Sequence, residues 1–419
     1  MRTLIHNIGL MAGILPPGKQ RLDGPEMATM HTIGDAWLLI DDGLIADFGT
    51  ASSLPPDLRQ LLRQPPRTDQ QAAPRLLDAG RGLLLPCFCD PHTHLVYAGS
   101  REQEFVDKIR GMSYADIARR GGGILHSADR LHRATEDDLY RQAMSRIGEI
   151  RSKGTGCVEI KSGYGLTTDD ELKMLRVIRR IRQTTDLHVA STFLGAHAVG
   201  RAYQGRQDEY VDLVVREMIP AVAREHLAEF IDVFCDEGFF TTGQTDRILE
   251  AGARYGLRPK IHAEELAPSG GVAVAVRHQA LSVDHLEHMA DASPALLRHS
   301  ATMPTLLPGT SFFLNLPYAP ARRLIDEGIG IALASDYNPG STPSGDMKFI
   351  VSLACVKMRL LPEEALNAAT INAAYAMGCA DRYGSITRGK RAAVQLLDAP
   401  SLDFIPYAYT TSLLRELIL

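Results

Sequence analysis

Leu83-Leu84-Leu85-Pro86-Cys87-Phe88-Cys89-Asp90-Pro91-His92-Thr93-His94 is an apolar run that ends in two histidines spaced i, i+2. Side chains alternate along an extended chain, so His92 and His94 point to one side and can share a metal ion. A His-x-His pair alone is also compatible with satisfied polar histidines. Further runs of the same kind lie at 155–161, 188–195, 230–235, 258–262, 281–285, 301–306 and 329–335, separated by stretches of helical period rich in Arg, Glu and Gln. Three of them also end on ionisable residues, in Lys260-Ile261-His262, Val283-Asp284-His285 and Ala334-Ser335-Asp336. Together with 83–90 these runs predict an α/β protein, a closed parallel (β/α)8 TIM barrel whose chemistry sits at the C-terminal ends of the strands.

Outward from the barrel, residues 34–49 (GDAWLLIDDGLIADFG) hold two apolar runs joined by Asp42-Gly43, a strong hairpin signal. Residues 50–75, with Pro55-Pro56, Pro65-Pro66 and Gln70-Gln71, read as a connection or exposed loop. Strand signals return at 76–82 and in GSITRGKRAAVQLLD at 384–398. The two ends are therefore expected to pair into one small β-sandwich domain, built from 1–82 and 381–419, beside a barrel of 83–380. The 419 residues suit one barrel of about 250 residues with a smaller appendage. Gly121-Gly122-Gly123 falls in an expected loop.

Hydrophobic content of 45%, charged content of 23% and a net charge of -5 lack the basic excess of a nucleic-acid binder. A small neutral or anionic substrate is compatible with that balance, because one local arginine outweighs a weak overall charge. The six cysteines are spread along the chain, and Cys87-x-Cys89 is not zinc-ribbon spacing, so they read as reduced. The opening MRTLIHNIGLMAGILPPG is interrupted by His6 and Asn7 and lacks a basic leader, and no apolar run reaches a membrane-spanning length, so a cytoplasmic protein with no membrane partner is expected.

His92, His94, His262 and Asp336 form a candidate metal shell with room for a water, as in catalytic sites. The nitrogen and carboxylate set suits one zinc or iron ion per chain better than magnesium or calcium. The end of run four, Asp232-Val233-Phe234-Cys235, offers no lysine for a carbamate bridge, so a single metal is expected. His285 is placed beside the metal, where it stabilises an oxyanion or shuttles a proton, with a fifth-ligand role as the alternative. Glu265, three residues after His262, is the candidate proton carrier. The other reading of this carboxylate is a helix N-terminal charge, a part for which Glu264 is equally eligible.

The set Asp90-Pro91-His92-Thr93-His94, His262, His285 and Asp336 resembles the amidohydrolase superfamily. The stretches HLVYAGSREQEF (94–105), GGGI (121–124), EIKSGYGL (159–166), TFLGAHA (192–198), FCDEGFF (234–240), KIHAEEL (260–266) and SDYNPGS (335–341) narrow the likeness to the imidazolonepropionase family within it. Thr370-Ile371-Asn372 followed by GSITRGK resembles the superfamily's terminal helix and return to the β domain. The resemblance implies opening of the ring of 4-imidazolone-5-propanoate to N-formimidoyl-L-glutamate, with Glu265, His285 and Asp336 catalytic. It also makes Arg101, Tyr164, His197 and Glu265 substrate contacts, with Asn338, Gly340 and Ser341 in the loop after the metal aspartate. Arg101 suits a propionate carboxylate because its guanidinium is a planar fork. Departures are Pro86-Cys87-Phe88-Cys89-Asp90 in place of the usual Pro-Gly-Phe-Ile/Val-Asp, which makes the site thiol-sensitive if a sulfur faces the metal, and Ala392-Ala393 in place of Ala-Asp. A homodimer is a further expectation. The shared metal residues alone also permit a purine or pyrimidine deaminase, and a barrel serving only as an interaction protein is the reading from another class.

Overall fold

A computed structural model describes residues 2–63, 75–112 and 122–419; Pro65-Pro66, Gln70-Gln71 and Gly121 of the sequence reading lie outside the described residues. Eight short parallel strands follow one another around a barrel: Phe88–Asp90, Thr155–Lys161, His188–Ala196, Phe230–Cys235, Ile261–Ala263, Ser282–His285, Met303–Leu306 and Ala332–Leu333. Each pairs with its sequence neighbour, and every residue of Thr155–Lys161 is buried. The first and last strands meet at their C-terminal ends. There Thr93 bridges Tyr337, the Asp336 N–H donates to His92 O at 3.0 Å, and the His94 N–H donates to Tyr337 O at 2.9 Å. The Asp90 carboxylate, pushed up to about 7 by its burial, accepts from the N–H and hydroxyl of Ser335 across the same seam.

The helices between strands start where the sequence supplies caps. The hydroxyls of Thr135, Thr167 and Thr241 each accept the backbone N–H three residues on, from Asp138, Asp170 and Gln244. Helix Thr168–Thr184 buries Leu172, Leu175, Ile178 and Ile181, a stripe at spacings of three that faces the barrel wall. No helix among the described residues is long and apolar enough to cross a membrane.

Both chain ends join one seven-stranded mixed sheet in the order Leu414–Ile418, Val394–Leu397, Leu83–Pro86, Arg2–Ala12, Thr32–Asp41, Leu44–Thr50, with Arg75–Asp78 also paired to Arg2–Ala12. Asp42-Gly43 makes the expected hairpin turn, both residues at positive φ. Ile5, Leu38 and Ile45 from one half of this sheet share a core with Leu84, Val394 and Leu396 from the other, so the two layers expected of a sandwich are parts of one continuous sheet. Trp37 and Leu39 point the opposite way and pack on Leu58 of helix Pro56–Arg63. The run 83–90 is two strands, not one. Leu83–Pro86 pairs with Arg2–Ala12 and Val394–Leu397, and only Phe88–Asp90 belongs to the barrel. Pro86 has no N–H to continue a ladder, and the Cys87 N–H still donates to Ala393 O while the Phe88 N–H turns to Gly154 O.

Candidate active site

The strand ends bring His92, His94, His262, His285 and Asp336 to one face of the barrel, all buried. Donor atoms of His92, His94 and Asp336 lie within 4.8 Å of one another, and so do those of His92, His262 and His285. His92 therefore stands at the centre, with its Nε2 and that of His94 each 3.6 Å from Asp336 Oδ1. Burial holds both imidazoles well below their usual pKa, helped for His92 by Lys161 and for His94 by His197, so each presents a neutral ring. His92 Nε2, His94 Nδ1 and His262 Nε2 are buried without a hydrogen-bond partner among the described residues. Neutral imidazole nitrogens left unsatisfied beside a carboxylate fit a divalent metal ion.

Carboxylates aim these rings from behind. Asp284 Oδ2 lies 2.6 Å from His92 Nδ1, and Asp232 Oδ2 lies 3.0 Å from His262 Nδ1. Lys161 Nζ ties the two together, 2.7 Å from Asp232, 3.5 Å from Asp284 and 2.7 Å from Glu159, whose other oxygen is bonded by Lys260. Burial opposes the charge of Lys161, yet Asp232, Glu159 and Asp284 together raise its pKa. On the far side Thr310 Oγ1 and Ser341 Oγ donate to Asp336 Oδ2 at 2.7 and 2.9 Å. Asp336, His285 and Glu264 all hold positive φ, a conformation rare for residues with a Cβ and concentrated at functional sites.

Glu265 and Glu264 have different surroundings. Glu264 is fully buried, and its Oε2 accepts from Ala290 N at 2.8 Å and Ser293 Oγ at 3.3 Å, which fixes the loop after the sixth strand. Neither sits at a helix start: the next helix is Gly271–Arg277, and the N–H groups of Glu265, Leu266 and Ala267 are taken by the Asp236 carboxylate. Glu265 faces the cavity with Oε2 3.6 Å from His285 Nε2. Burial pushes its carboxyl up to about 7, with Glu287, Asp336 and Asp236 adding to the rise and His285 opposing it. Against burial, Glu265 and Glu287 raise His285 well above the usual imidazole range. The His285 Nε2 and Nδ1 lie 3.6 and 3.4 Å from Glu265 and Glu287, and the ring also belongs to the cluster with His92 and His262, so the geometry is compatible with both the proton-handling and the fifth-ligand place.

A cavity of about 530 Å³ opens above these residues, lined by Arg101, Tyr164, His197, Asn338, Gly340 and Ser341 among others. All the sequence-derived contacts therefore reach it, but Arg101 differs in state from the expectation. Arg101 is not a free fork: its Nε and Nη2 donate to Glu104 Oε2 at 2.8 and 2.7 Å, and the guanidinium lies against Gly340, where a Cβ would stand 2.3 Å from Nη1 and 3.1 Å from Nη2. Tyr164 is buried beside His94, 5.7 Å between ring centres. His197 stacks on His94 at 5.2 Å, and its Nδ1 lies 3.0 Å from Gly163 O, while burial holds its pKa down to about 3. Asn338 bonds Asp336 O, Gly340 N and Ser341 N, so it shapes the loop that carries Ser341. Cys87 and Cys89 gather with Cys157 below the site and do not face its metal residues.

Sequence reasoning missed Asp232, Asp284, Lys161, Glu159, Lys260, Thr310 and the second pocket cation, Lys108, whose Nζ donates to Gly340 O at 3.2 Å. The signal was present, since acids and lysines inside apolar barrel strands are too costly to bury unless paired.

An Amidohydrolase family model matches residues 83–414. The chain is 49% identical over 413 residues to the imidazolonepropionase of Christiangramia forsetii, covering 98% of this chain and 97% of that protein. It is 42% identical over 386 residues to that of Brevibacillus brevis, covering 92% and 89%. Among solved structures, E. coli guanine deaminase matches with a TM-score of 0.70 at 13% identity over 100% of this chain and 98% of that one. An adenosine deaminase from Xanthomonas campestris with bound zinc matches with a TM-score of 0.68 at 16% identity over 100% and 91%. Identities this low establish a shared fold alone.

Proposed function

The chain belongs to the amidohydrolase family and, within it, to the imidazolonepropionases, and from that premise we propose how its residues open the ring of 4-imidazolone-5-propanoate to N-formimidoyl-L-glutamate. The observation that carries the reading is one cavity holding unsatisfied imidazole nitrogens, a carboxyl poised near neutrality and a guanidinium. His92, His94, His262 and Asp336 hold a single zinc or iron ion. Such an ion lowers the pKa of water toward about 7 and polarises a carbonyl.

Ionised Glu265 takes a proton from the attacking water as its oxygen bonds to the ring carbonyl carbon. The carbonyl oxygen gains negative charge, and the His285 imidazolium, held by Glu265 and Glu287, stabilises it. The carbon–nitrogen bond then breaks, and Glu265 passes its proton to the departing ring nitrogen. Tyr164 and His197 wall the ring, and Arg101 with Lys108 nearby attracts the propionate carboxylate. That pair of cations favours an acid substrate over an uncharged purine or pyrimidine. A homodimer in the cytoplasm is part of the same proposal, and light scattering on the purified protein tests the first half of it.

Turnover is the direct test. Purified protein is expected to convert 4-imidazolone-5-propanoate to N-formimidoyl-L-glutamate and to lose that activity when His262→Ala removes the ion. Deamination of a purine or pyrimidine without turnover of the imidazolone overturns the proposal.

A further inference from the structure

Four of the six cysteines, from three distant parts of the chain, meet at the N-terminal end of the barrel. Cys89 stands opposite Cys157 in the ladder between the first two strands, and Cys157 stands opposite His188 on the third. The sulfurs of Cys87, Cys89 and Cys157 all lie within 4.8 Å of one another. Cys379, just after helix Ile371–Ala376, interacts with Cys157 on one side and His188 on the other. Cys87, Cys89 and Cys157 are completely buried and Cys379 is 1% exposed. Gly156 makes room for the group, since a Cβ there would lie 2.5 Å from Cys87 Sγ.

A buried cysteine can be an ordinary small apolar residue, and one or two would call for no explanation. Lys390 is the second observation. Its side chain is buried, and Nζ donates to Ala380 O, to Tyr383 O at 3.2 Å and to Ser385 Oγ at 2.7 Å, all neutral acceptors. No carboxylate lies within ion-pair distance of it among the described residues; Cys89, the exposed carboxylate of Asp381 and Cys379 act on its charge from further away. A buried ammonium with no anion in contact is costly, and neutral thiols do not offset it. Thiolates do.

We propose that Cys87, Cys89 and Cys157 form a thiolate site for a thiophilic closed-shell metal ion, zinc or cuprous copper, at the floor of the barrel, with Cys379 beside it as a fourth sulfur and Lys390 balancing its charge. Binding releases three protons, one from each thiol, and moves no electron. For zinc, the three thiolates leave one net negative charge, which the Lys390 ammonium cancels. The site is distinct from the hydrolytic one: the two share no residue, and the nearest pair in sequence, Cys89 and His92, is three residues apart, about 10 Å at the usual strand rise. It pins the first two barrel strands to the segment that leads back into the terminal sheet, a place where a closed, non-catalytic site serves structure.

The test uses the full chain produced with cobalt in place of zinc. A sulfur-to-cobalt charge-transfer band is expected in the near ultraviolet. It persists in His262→Ala, which loses the hydrolytic ion, and in Cys355→Ser, which lies away from the cluster; it is absent in Cys157→Ser. Elemental analysis of His262→Ala made without cobalt is expected to find about one remaining equivalent of zinc or copper and so to identify the ion. Should Cys157→Ser fail to fold, the band in the unaltered protein and in His262→Ala still decides. Cobalt-loaded protein without that band, or cluster cysteines already joined in a disulfide in freshly purified protein, overturns the proposal, and neither result bears on turnover.

Discussion

Two layers of buried charge lie one above the other in the barrel, and they are built on opposite terms. In the lower layer each of Glu159, Lys161, Lys260, Asp232 and Asp284 has an opposite charge within 3.5 Å. In the upper layer His92, His94 and His262 keep ring nitrogens that nothing in the described chain satisfies. Both layers are equally hidden from water, so burial does not separate them. What separates them is pairing. In the lower layer every charge faces an opposite one, with three carboxylates on two lysines and Asp284 Oδ1 alone left without a hydrogen bond. That layer holds the fold and aims the rings above it, whereas the upper layer's ring nitrogens face an ion and a substrate.

The sharpest way to break this contrast is to change one residue in each layer and read a different quantity. Glu265→Gln, in the upper layer, is expected to lower kcat by about 10² to 10⁴ with metal content unchanged. The rise of kcat/KM with pH across about 7, where the raised carboxyl ionises into its working form, is expected to vanish in the same variant. Unaltered kcat in steady-state assays would return Glu265 to a structural part. Lys161→Met, in the lower layer, leaves Asp232 and Asp284 without a lysine and Glu159 with Lys260 alone, and is expected to cost about 3 to 5 kcal/mol of stability in denaturant titration. If Lys161→Met keeps its stability, the lower layer is not held by its charge pairing.

Arg101→Ala sharpens the comparison from the substrate side. Loss of the cation is expected to weaken binding by about 1.5 to 3 kcal/mol, a KM raised roughly 10- to 150-fold with kcat little changed. Arg101→Lys recovers part of this, because a point charge does not reproduce the fork. A ring analogue without the carboxylate should show little further loss in the Ala variant; an equal penalty for both ligands assigns Arg101 to packing against Glu104. The smallest effect is expected where the layers touch. Asp284→Asn leaves His92 in place but weakens its aim, and metal affinity measured by chelator competition should fall about 10- to 100-fold.

The contrast also explains what could be read from the sequence. Strand ends were legible because a histidine or aspartate closing an apolar run breaks a two-residue pattern, and His92, His94, His262, His285 and Asp336 do come together. The lower layer was not, since Glu159, Lys161 and Asp232 lie inside their strands and pair only across the barrel, with partners as far apart as Glu159 and Lys260. The pairing of Arg101 with Glu104 lay at helical spacing, yet three-residue spacing alone does not say which charge faces a cavity. Hydrophobicity ran unbroken from Leu83 to Cys89 and hid the junction of two sheets, because both strands are buried and only the backbone at Pro86 marks the change.

That junction bears on how the polypeptide is made. Leu83–Pro86 lies between Arg2–Ala12, synthesised before it, and Val394–Leu397, synthesised some three hundred residues later. Until the last strands leave the ribosome, one side of Leu83–Pro86 stays an open apolar edge, and the nascent barrel hangs from an unfinished sheet. Such long-range pairing forms slowly, and an uncovered edge recruits other chains. A product cut short after Leu360 keeps every barrel strand and all five metal-facing residues but leaves that edge exposed, so its fate is expected to be aggregation or chaperone capture, set by the order in which the ribosome delivers the two ends.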